Sequence, residues 1–186
     1  MITANVLHKQ DRTDRLELIT KESVEQGFEI RFWDAIVEFP PKTGITKAHK
    51  QIIRWAKEQN LPYVLVLEDD CKFTDKGALD QFMSTIPEDF DIYLGGVCIK
   101  EDIPEDRVLH RFCCMHCYIV HNRFYDTFLG IRENTDIETS LVSLGKYIVH
   151  YPFIATQHST FSDNSHKNWV FDRYMINKKL WVKETP

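Results

Sequence analysis

The sequence contains no long apolar run and no low-complexity tract, and these absences exclude several classes of protein. A membrane-spanning helix needs about 20 consecutive apolar residues, and no such stretch occurs in the 186 residues. Hydrophobic residues make up 43% and charged residues 27% of the chain, close to the averages of folded globular proteins. We therefore expect one folded domain over residues 1–186, in which 155–186 form a carboxy-terminal loop and tail.

An excess of positive charge is also missing. The formal net charge is −5 and the sequence pI is about 5.9, whereas a broad nucleic-acid-binding face uses Lys and Arg to neutralise phosphates. The amino-terminal residues lack the basic region and long apolar core of a secretory signal. The composition thus argues against nucleic acid as a partner and against secretion.

Cysteine is scarce and odd in number. Three of the five cysteines, Cys113, Cys114 and Cys117, crowd into one apolar segment, which favours reduced thiols and a cytoplasmic location over a disulfide framework. A zinc site is the alternative, because His110 and His116 lie in the same segment. Structural zinc sites usually take a second pair of ligands from elsewhere in the chain, and the sequence has no second cysteine pair. Buried cysteine in a strand is the preferred interpretation.

Strand and helix patterns alternate along the chain. Apolar alternation or apolar runs predict strands at 2–7, 28–32, 63–67, 91–96, 111–120 and 147–151. Helical spacing predicts helices before Gly27 and at 45–57, 78–86, 122–131 and 136–144, with loops at 40–44, 97–110 and 152–163. The loop at 97–110 is long enough to serve as a lid. This order predicts an α/β fold with a mostly parallel mixed central sheet flanked by helices.

Three acids follow the most apolar predicted strand. Residues 63–67 indicate a strand buried on both faces, and Glu68, Asp69 and Asp70 come directly after it. In open α/β sheets the ligand crevice lies beyond the carboxyl ends of the strands. Glu68 and Asp70 are alternate residues, so both carboxylates can face one divalent cation. The alternative is a solvated acidic turn that ends the strand.

Other candidate ligand-binding residues lie at similar junctions. Arg12 and Arg15 follow the first predicted strand, where nucleotide phosphates are often bound, although both also suit an exposed helix face. Gly95 and Gly96 end another strand, where the lack of a side chain lets a ligand approach the backbone. His49, within a predicted helix, is interpreted as a histidine that binds nothing.

Short motifs in a fixed order resemble glycosyltransferase family 25, the lipopolysaccharide-type and procollagen galactosyltransferase-like enzymes. The resemblance covers the segments 5–15, 44–49, 64–70, 89–95, 118–120 and 152–163. It implies a GT-A fold that binds a nucleotide sugar through an Asp-x-Asp-like motif and Mn²⁺ or Mg²⁺. The expected activity is transfer of a hexose from a UDP-sugar to a glycan or lipid-linked acceptor.

The resemblance also implies roles for individual residues. Asp70 is the first expected metal ligand, supported by Glu68 or Asp69, and His158 is the expected carboxy-terminal ligand. Asn5, Arg12, Arg15, Asp69, Gly95 and Gly96 are the expected donor-binding residues. If the reaction inverts the configuration at the anomeric carbon of the sugar, Asp136 or Glu138 is the candidate base that takes the acceptor proton.

Two alternative functions share these features. A non-catalytic module of the same fold would bind a nucleotide sugar or a partner without turnover, and a metal-dependent phosphohydrolase would use the same acids on phosphate esters. The tail from Trp169 to Pro186 mixes aromatic and basic residues. This composition predicts a helix packed on the domain, with peripheral contact to the inner face of a membrane as the alternative.

Overall fold

The computed structural model describes residues 1–99, 101–163, 166–168, 170 and 177–184. Its strands are Ile2–His8 (β1), Phe28–Asp34 (β2), Tyr63–Glu68 (β3), Cys71–Phe73 (β4), Ile92–Leu94 (β5), Val108–Leu109 (β6), Cys117–His121 (β7), Tyr147–Val149 (β8), Ala155–Gln157 (β9), Phe161–Ser162 (β10) and Lys167–Asn168 (β11). Its helices are Thr13–Gln26 (α1), Pro41–Glu58 (α2), Ala78–Ser84 (α3), Tyr125–Gly130 (α4) and Ile137–Leu141 (α5), with a 3₁₀ turn at Asn122–Phe124.

A seven-stranded mixed sheet organises these elements, as predicted. Its strand order is β2-β1-β3-β7-β5-β8-β6. The pairs β1–β2, β1–β3 and β5–β8 are parallel, whereas β7 runs antiparallel to both of its neighbours and β6 runs antiparallel to β8. Parallel and antiparallel pairings are therefore equal in number among the described strands of this sheet, so the sheet is mixed as predicted but is not mostly parallel, because β7 and β6 run against their neighbours.

Strand β3 lies inside the sheet, between β1 and β7, and is buried on both faces, as its apolar run predicts. Val64 and Val66 pack into one core cluster with α2, α4 and α5, while Leu65 and Leu67 pack into a second cluster with α1 and α3. Side chains alternate across a strand, so this single run supplies both cores. The carboxyl end of β3 is thereby held between two packed layers of helices.

Two turns show where local sequence does and does not fix the helix ends. Gly27 ends α1 in the left-handed conformation (φ 73°), as predicted. The predicted loop at 40–44 is wrong, because α2 begins at Pro41, where the missing amide hydrogen costs nothing. Gly44 lies inside this helix, and a Cβ there would come within 2.0 Å of the Ile36 carbonyl oxygen.

The closing segment is more ordered than the predicted loop at 152–163. Strand β9 pairs antiparallel with β4, and β10 pairs with β11. Ala155 and Gln157 are buried while Thr156 between them is partly exposed, the alternation of a strand that polar composition concealed. The predicted loop at 97–110 similarly contains β6.

The predicted tail helix lies largely outside the described residues, since Trp169 and 171–176 are not among them. Of the described part, Trp181 donates its backbone N–H to the Phe153 carbonyl at 2.8 Å and packs against the second core cluster. No helix in the described part of the chain is long and apolar enough to cross a membrane.

Candidate active site

Two of the three acids at the end of β3 are buried. Asp69 is 5% and Asp70 is 4% exposed, while Glu68 is partly exposed. A carboxylate removed from water needs a compensating partner. The interpretation of a solvated acidic turn is therefore wrong, because each acid is held by basic or amide side chains.

Asp69 faces the first strand–helix junction. Its Oδ2 lies 2.9 Å from His8 Nδ1, and its Oδ1 accepts a hydrogen bond of 2.8 Å from Arg15. His8 ends β1 and Arg15 lies in the first turns of α1. The ends of β1 and β3 and the start of α1 therefore converge on one carboxylate.

Both predicted nucleotide-binding arginines are held by the closing segment of the chain. Arg12 and Arg15 donate to the same carbonyl oxygen, that of Phe161, at 2.9 and 3.1 Å. Arg15 also contacts Asp70 at 3.1 Å, and Arg12 pairs with Asp163 at 2.6 Å. The structure thus brings Arg15 to the acidic strand end, whereas Arg12 shares the Phe161 carbonyl with it and pairs with Asp163 and Asp14.

Glu68 and Asp70 face the same way, as alternate residues should. The Gln157 amide nitrogen donates to Asp70 Oδ1 at 3.1 Å and to Glu68 Oε2 at 3.3 Å. Burial, followed by the charge of Glu68, raises the pKa of Asp70 to about 7. Two carboxylates of this pair therefore point at one amide group.

A buried histidine lies next to Glu68 and is itself in contact with a buried tyrosine. His49, 1% exposed, places Nε2 3.4 Å from Glu68 Oε1 and Nδ1 2.6 Å from the Tyr118 hydroxyl. Burial opposes the charge of Glu68, but the contact with His49 outweighs it and holds the pKa of Glu68 below its usual value. At a pH at which Asp70 takes up a proton, Glu68 therefore stays ionised.

The structure places His158 away from this acid pair. The His158 imidazole lies 3.3 Å from Glu22 Oε1 on α1, although its backbone N–H donates to the Asp70 carbonyl at 2.7 Å. Adjacent residues of an extended chain point to opposite sides, so Gln157 meets the acids and His158 does not. The ligand role of His158 stays a prediction, without a contact to Glu68 or Asp70 in the described structure.

Metal-binding geometry is not preformed. Within the described residues, no group of three or more His, Cys, Asp or Glu side chains is arranged to hold a metal ion. This applies to the crowded cysteine segment as well, and all five cysteines are free thiols.

The side chain of Asn5 makes hydrogen bonds within the sheet. Its Nδ2 donates to the Leu65 carbonyl at 3.1 Å, and its Oδ1 accepts from the Trp33 ring nitrogen at 3.0 Å. These bonds link β1 to β3 and β2. The structure therefore gives Asn5 a structural role, and its contact with a nucleotide stays a prediction.

Gly95 and Gly96 are buried, and packing accounts for both. A Cβ on Gly95 would lie 2.7 Å from Cys117 Sγ, and one on Gly96 would lie 2.0 Å from the Ala155 carbonyl oxygen. These approaches bring β9 against the end of β5. Their contact with a ligand stays a prediction.

The two candidate bases occupy different environments. Asp136 is exposed at the amino-terminal end of α5, whereas Glu138 is partly buried and accepts a hydrogen bond of 3.0 Å from the Cys114 backbone. Burial raises the pKa of Glu138, and the charge of Glu68 raises it further. The structure therefore brings Glu138, of the two, into the electrostatic range of the acid pair.

Four site residues were not predicted: His49, His116, Tyr118 and Gln157. His49 falls on the same helical face as the apolar residues of α2, a signal that the sequence does contain. His116 is fully buried, and within the described chain neither ring nitrogen makes a well-formed hydrogen bond, although the Ala155 and Cys114 carbonyls lie near enough to favour its protonation. Burial nevertheless dominates and lowers the His116 pKa.

Comparison with known proteins finds similarity of structure only. No family model and no curated protein matches the sequence. A glycosyltransferase involved in glycosylation of the major capsid of PBCV-1 matches with a TM-score of 0.55 and 16% identity over 81% of each chain. HddC from Yersinia pseudotuberculosis, alone and complexed with GMP-PN, matches at TM-scores of 0.46 and 0.45 with 10% and 11% identity over 81% of this chain and 90% of HddC.

At this identity the PBCV-1 enzyme establishes a shared fold and nothing finer, and the TM-scores of HddC are too low to support an argument. Membership of glycosyltransferase family 25, expected from the sequence motifs, stays a prediction. The chain has a mixed α/β fold of the kind found in a solved glycosyltransferase.

Proposed function

We propose that this chain is a metal-dependent glycosyltransferase that moves a hexose from a UDP-sugar to a hydroxyl of a glycan or lipid-linked acceptor. The observation that carries the proposal is the Glu68–Asp70 pair, which lies at the carboxyl end of β3 in a glycosyltransferase fold. Both carboxylates point at one amide nitrogen. A buried carboxylate with a strongly raised pKa beside a second carboxylate, at the carboxyl end of a strand in an α/β sheet, is typical of a functional site.

The residues fit a hard divalent cation such as Mn²⁺ or Mg²⁺, which prefers oxygen ligands. Glu68 and Asp70 would hold it. Burial and the charge of Glu68 together raise the pKa of Asp70, and a cation would offset both by compensating the buried negative charge. The buried Gln157 Oε1 has no hydrogen-bond partner in the described chain. When bound, the ion would neutralise charge on the departing nucleoside diphosphate.

Arg12 and Arg15 are the residues proposed to bind the diphosphate. Their guanidinium groups already hold anionic or carbonyl oxygens at 2.6–3.1 Å, including Asp163 and the Phe161 carbonyl. Planar guanidinium groups suit phosphate oxygens in the same way. In this proposal the diphosphate replaces the contacts to 161–163.

For an inverting reaction, Glu138 is the proposed base, and Asp136 the less favoured one. A base works best when its pKa approaches the operating pH, and burial moves Glu138 in that direction. Glu138 accepts the proton of the acceptor hydroxyl as that oxygen attacks the sugar carbon. The leaving group is the nucleoside diphosphate, so the acceptor oxygen gains the sugar and loses its proton.

A thermal-shift titration tests the proposal. UDP is compared with ADP and GDP, each with and without Mn²⁺, on the same preparation. We expect UDP with Mn²⁺ to raise the melting temperature most, since a ligand at 100 times its dissociation constant stabilises by about 2.7 kcal/mol.

Three results would count against it. Equal shifts with and without Mn²⁺ would remove the metal from the mechanism. If UDP-sugars stabilise the protein but are neither transferred nor slowly hydrolysed, a binding module is favoured instead. Hydrolysis of simple phosphate esters would favour a phosphohydrolase.

A further inference from the structure

Gln157 contacts both members of the acid pair through one nitrogen atom. Its Nε2 lies 3.1 Å from Asp70 Oδ1 and 3.3 Å from Glu68 Oε2. An amide N–H₂ group carries partial positive charge and can donate two hydrogen bonds. It therefore occupies the point on which two carboxylates converge, where a cation would be most strongly stabilised.

The other end of the same amide is unpaired. Gln157 Oε1 is buried and has no hydrogen-bond partner within the described chain. A buried acceptor without a partner destabilises the folded state, because it has lost its hydrogen bonds to water. Rotating the amide by half a turn would exchange oxygen and nitrogen, but an oxygen facing two carboxylates is repelled unless a cation lies between them.

Backbone contacts fix the position of Gln157. It is the register partner of Cys71 in the β4–β9 pair, and the next residue donates its N–H to the Asp70 carbonyl at 2.7 Å. Thr156 is only partly buried, and its hydroxyl lies 3.5 Å from the Lys72 carbonyl, away from the acids. The backbone pairing therefore fixes where the Gln157 side chain leaves the strand, and the amide can rotate without moving that strand.

We propose that Gln157 is a ligand of the divalent cation, offering Oε1 to the ion that Glu68 and Asp70 hold. Carboxamide oxygens are common ligands of hard cations. With its nitrogen toward the acids, the amide supplies part of the positive charge that the ion would bring. The inference rests on the proposed function, and it assigns to Gln157 the ligand role that the sequence motifs give to His158.

The test measures Mn²⁺ affinity directly, by electron paramagnetic resonance of free Mn²⁺ in the presence of saturating UDP. Gln157→Leu removes both ends of the amide, while Gln157→Glu removes the donor but supplies a carboxylate oxygen. We expect Leu to weaken Mn²⁺ binding at least tenfold, the lower end of the effect seen even for outer partners of metal ligands. Gln157→Glu should bind Mn²⁺ at least as tightly as the wild type.

Thr156→Ala is the matched control on the same strand, and it should leave Mn²⁺ affinity within about twofold, because its side chain faces away from the acids. Gln157→Glu also keeps the test decisive if Gln157→Leu fails to fold. Its thermal shift on Mn²⁺ addition should exceed that of the wild type, because the ion relieves the repulsion of three carboxylates.

Wild-type affinity in both the Leu and Glu variants would overturn the ligand role and leave the proposed function standing. Loss of Mn²⁺ binding in His158→Ala combined with wild-type affinity in Gln157→Leu would assign the ligand to His158 instead. If the wild-type protein binds no Mn²⁺ with UDP present, the metal dependence of the proposed function fails, and this inference fails with it.

Discussion

Replacing Asp70 with asparagine should stabilise the metal-free protein at high pH while it weakens the proposed site. The carboxyl is 4% exposed, and burial together with Glu68 raises its pKa to about 7 from an ordinary 3.8. Between these two pH values the unfolded chain ionises Asp70 and the folded chain does not. Unfolding therefore becomes progressively easier as the pH rises from about 4 to 7.

The size of the effect follows from the two pKa values. A tenfold change in proton affinity corresponds to about 1.36 kcal/mol, so the full difference is at most about 4 kcal/mol. Asp70→Asn removes this penalty and keeps the shape of the side chain. The free energy of unfolding of the variant should thus increase relative to that of the wild type as the pH rises, and the difference should level off above pH 7.

The assay is urea unfolding of both proteins from pH 5 to pH 8, with a chelator present. The free energies of unfolding are extrapolated to water and subtracted at each pH. A difference that does not change with pH, or a variant that is less stable than the wild type at pH 8, would refute the reasoning. The same variant should lose the Mn²⁺-dependent stabilisation by UDP and about 10²-fold or more in turnover.

Asp75→Asn is the control, because the same substitution there should have the opposite sign. Hydrogen bonds from the backbone N–H groups of Lys183 and Lys76 lower the pKa of Asp75. Its ionised form therefore favours the folded state, and the variant should lose a little stability above pH 4. Opposite pH trends in two nearby acids would separate the environment of Asp70 from any general effect of removing a charge.

Two further substitutions test the packing and the assignment of the base. Gly96→Ala places a Cβ 2.0 Å from a carbonyl oxygen and should lower the free energy of unfolding, measured by chemical denaturation, by about 3 kcal/mol. Gly130 has open space around it, so Gly130→Ala should change that free energy by less than about 1 kcal/mol. Equal effects of the two substitutions would contradict the packing around Gly96. In a sugar-transfer assay, Glu138→Gln should reduce turnover by about 10²-fold or more, while UDP binding is kept. Asp136 is exposed, and Asp136→Asn should not reduce turnover in this way. The reverse result would make Asp136 the base.

Local sequence was sufficient for the central strand and for the position of the acids. The apolar run before Glu68 demands burial on both faces, and a strand is the element that a short run of β-favouring residues can form there. The acids directly follow this run in the sequence, so they fall at the carboxyl end of β3. The left-handed turn at Gly27 was equally local, because few other residues adopt that backbone conformation easily.

Tertiary structure decided which side chains meet those acids. The reversed direction of β7 brings His116 and Tyr118 beside β3, and the pairing of β9 with β4 brings Gln157 to Glu68 and Asp70. Such pairings join residues far apart in sequence, and neither spacing nor composition near Gln157 reports them. Alternation along the closing strand then selects Gln157 over His158, which only the register of that strand could determine.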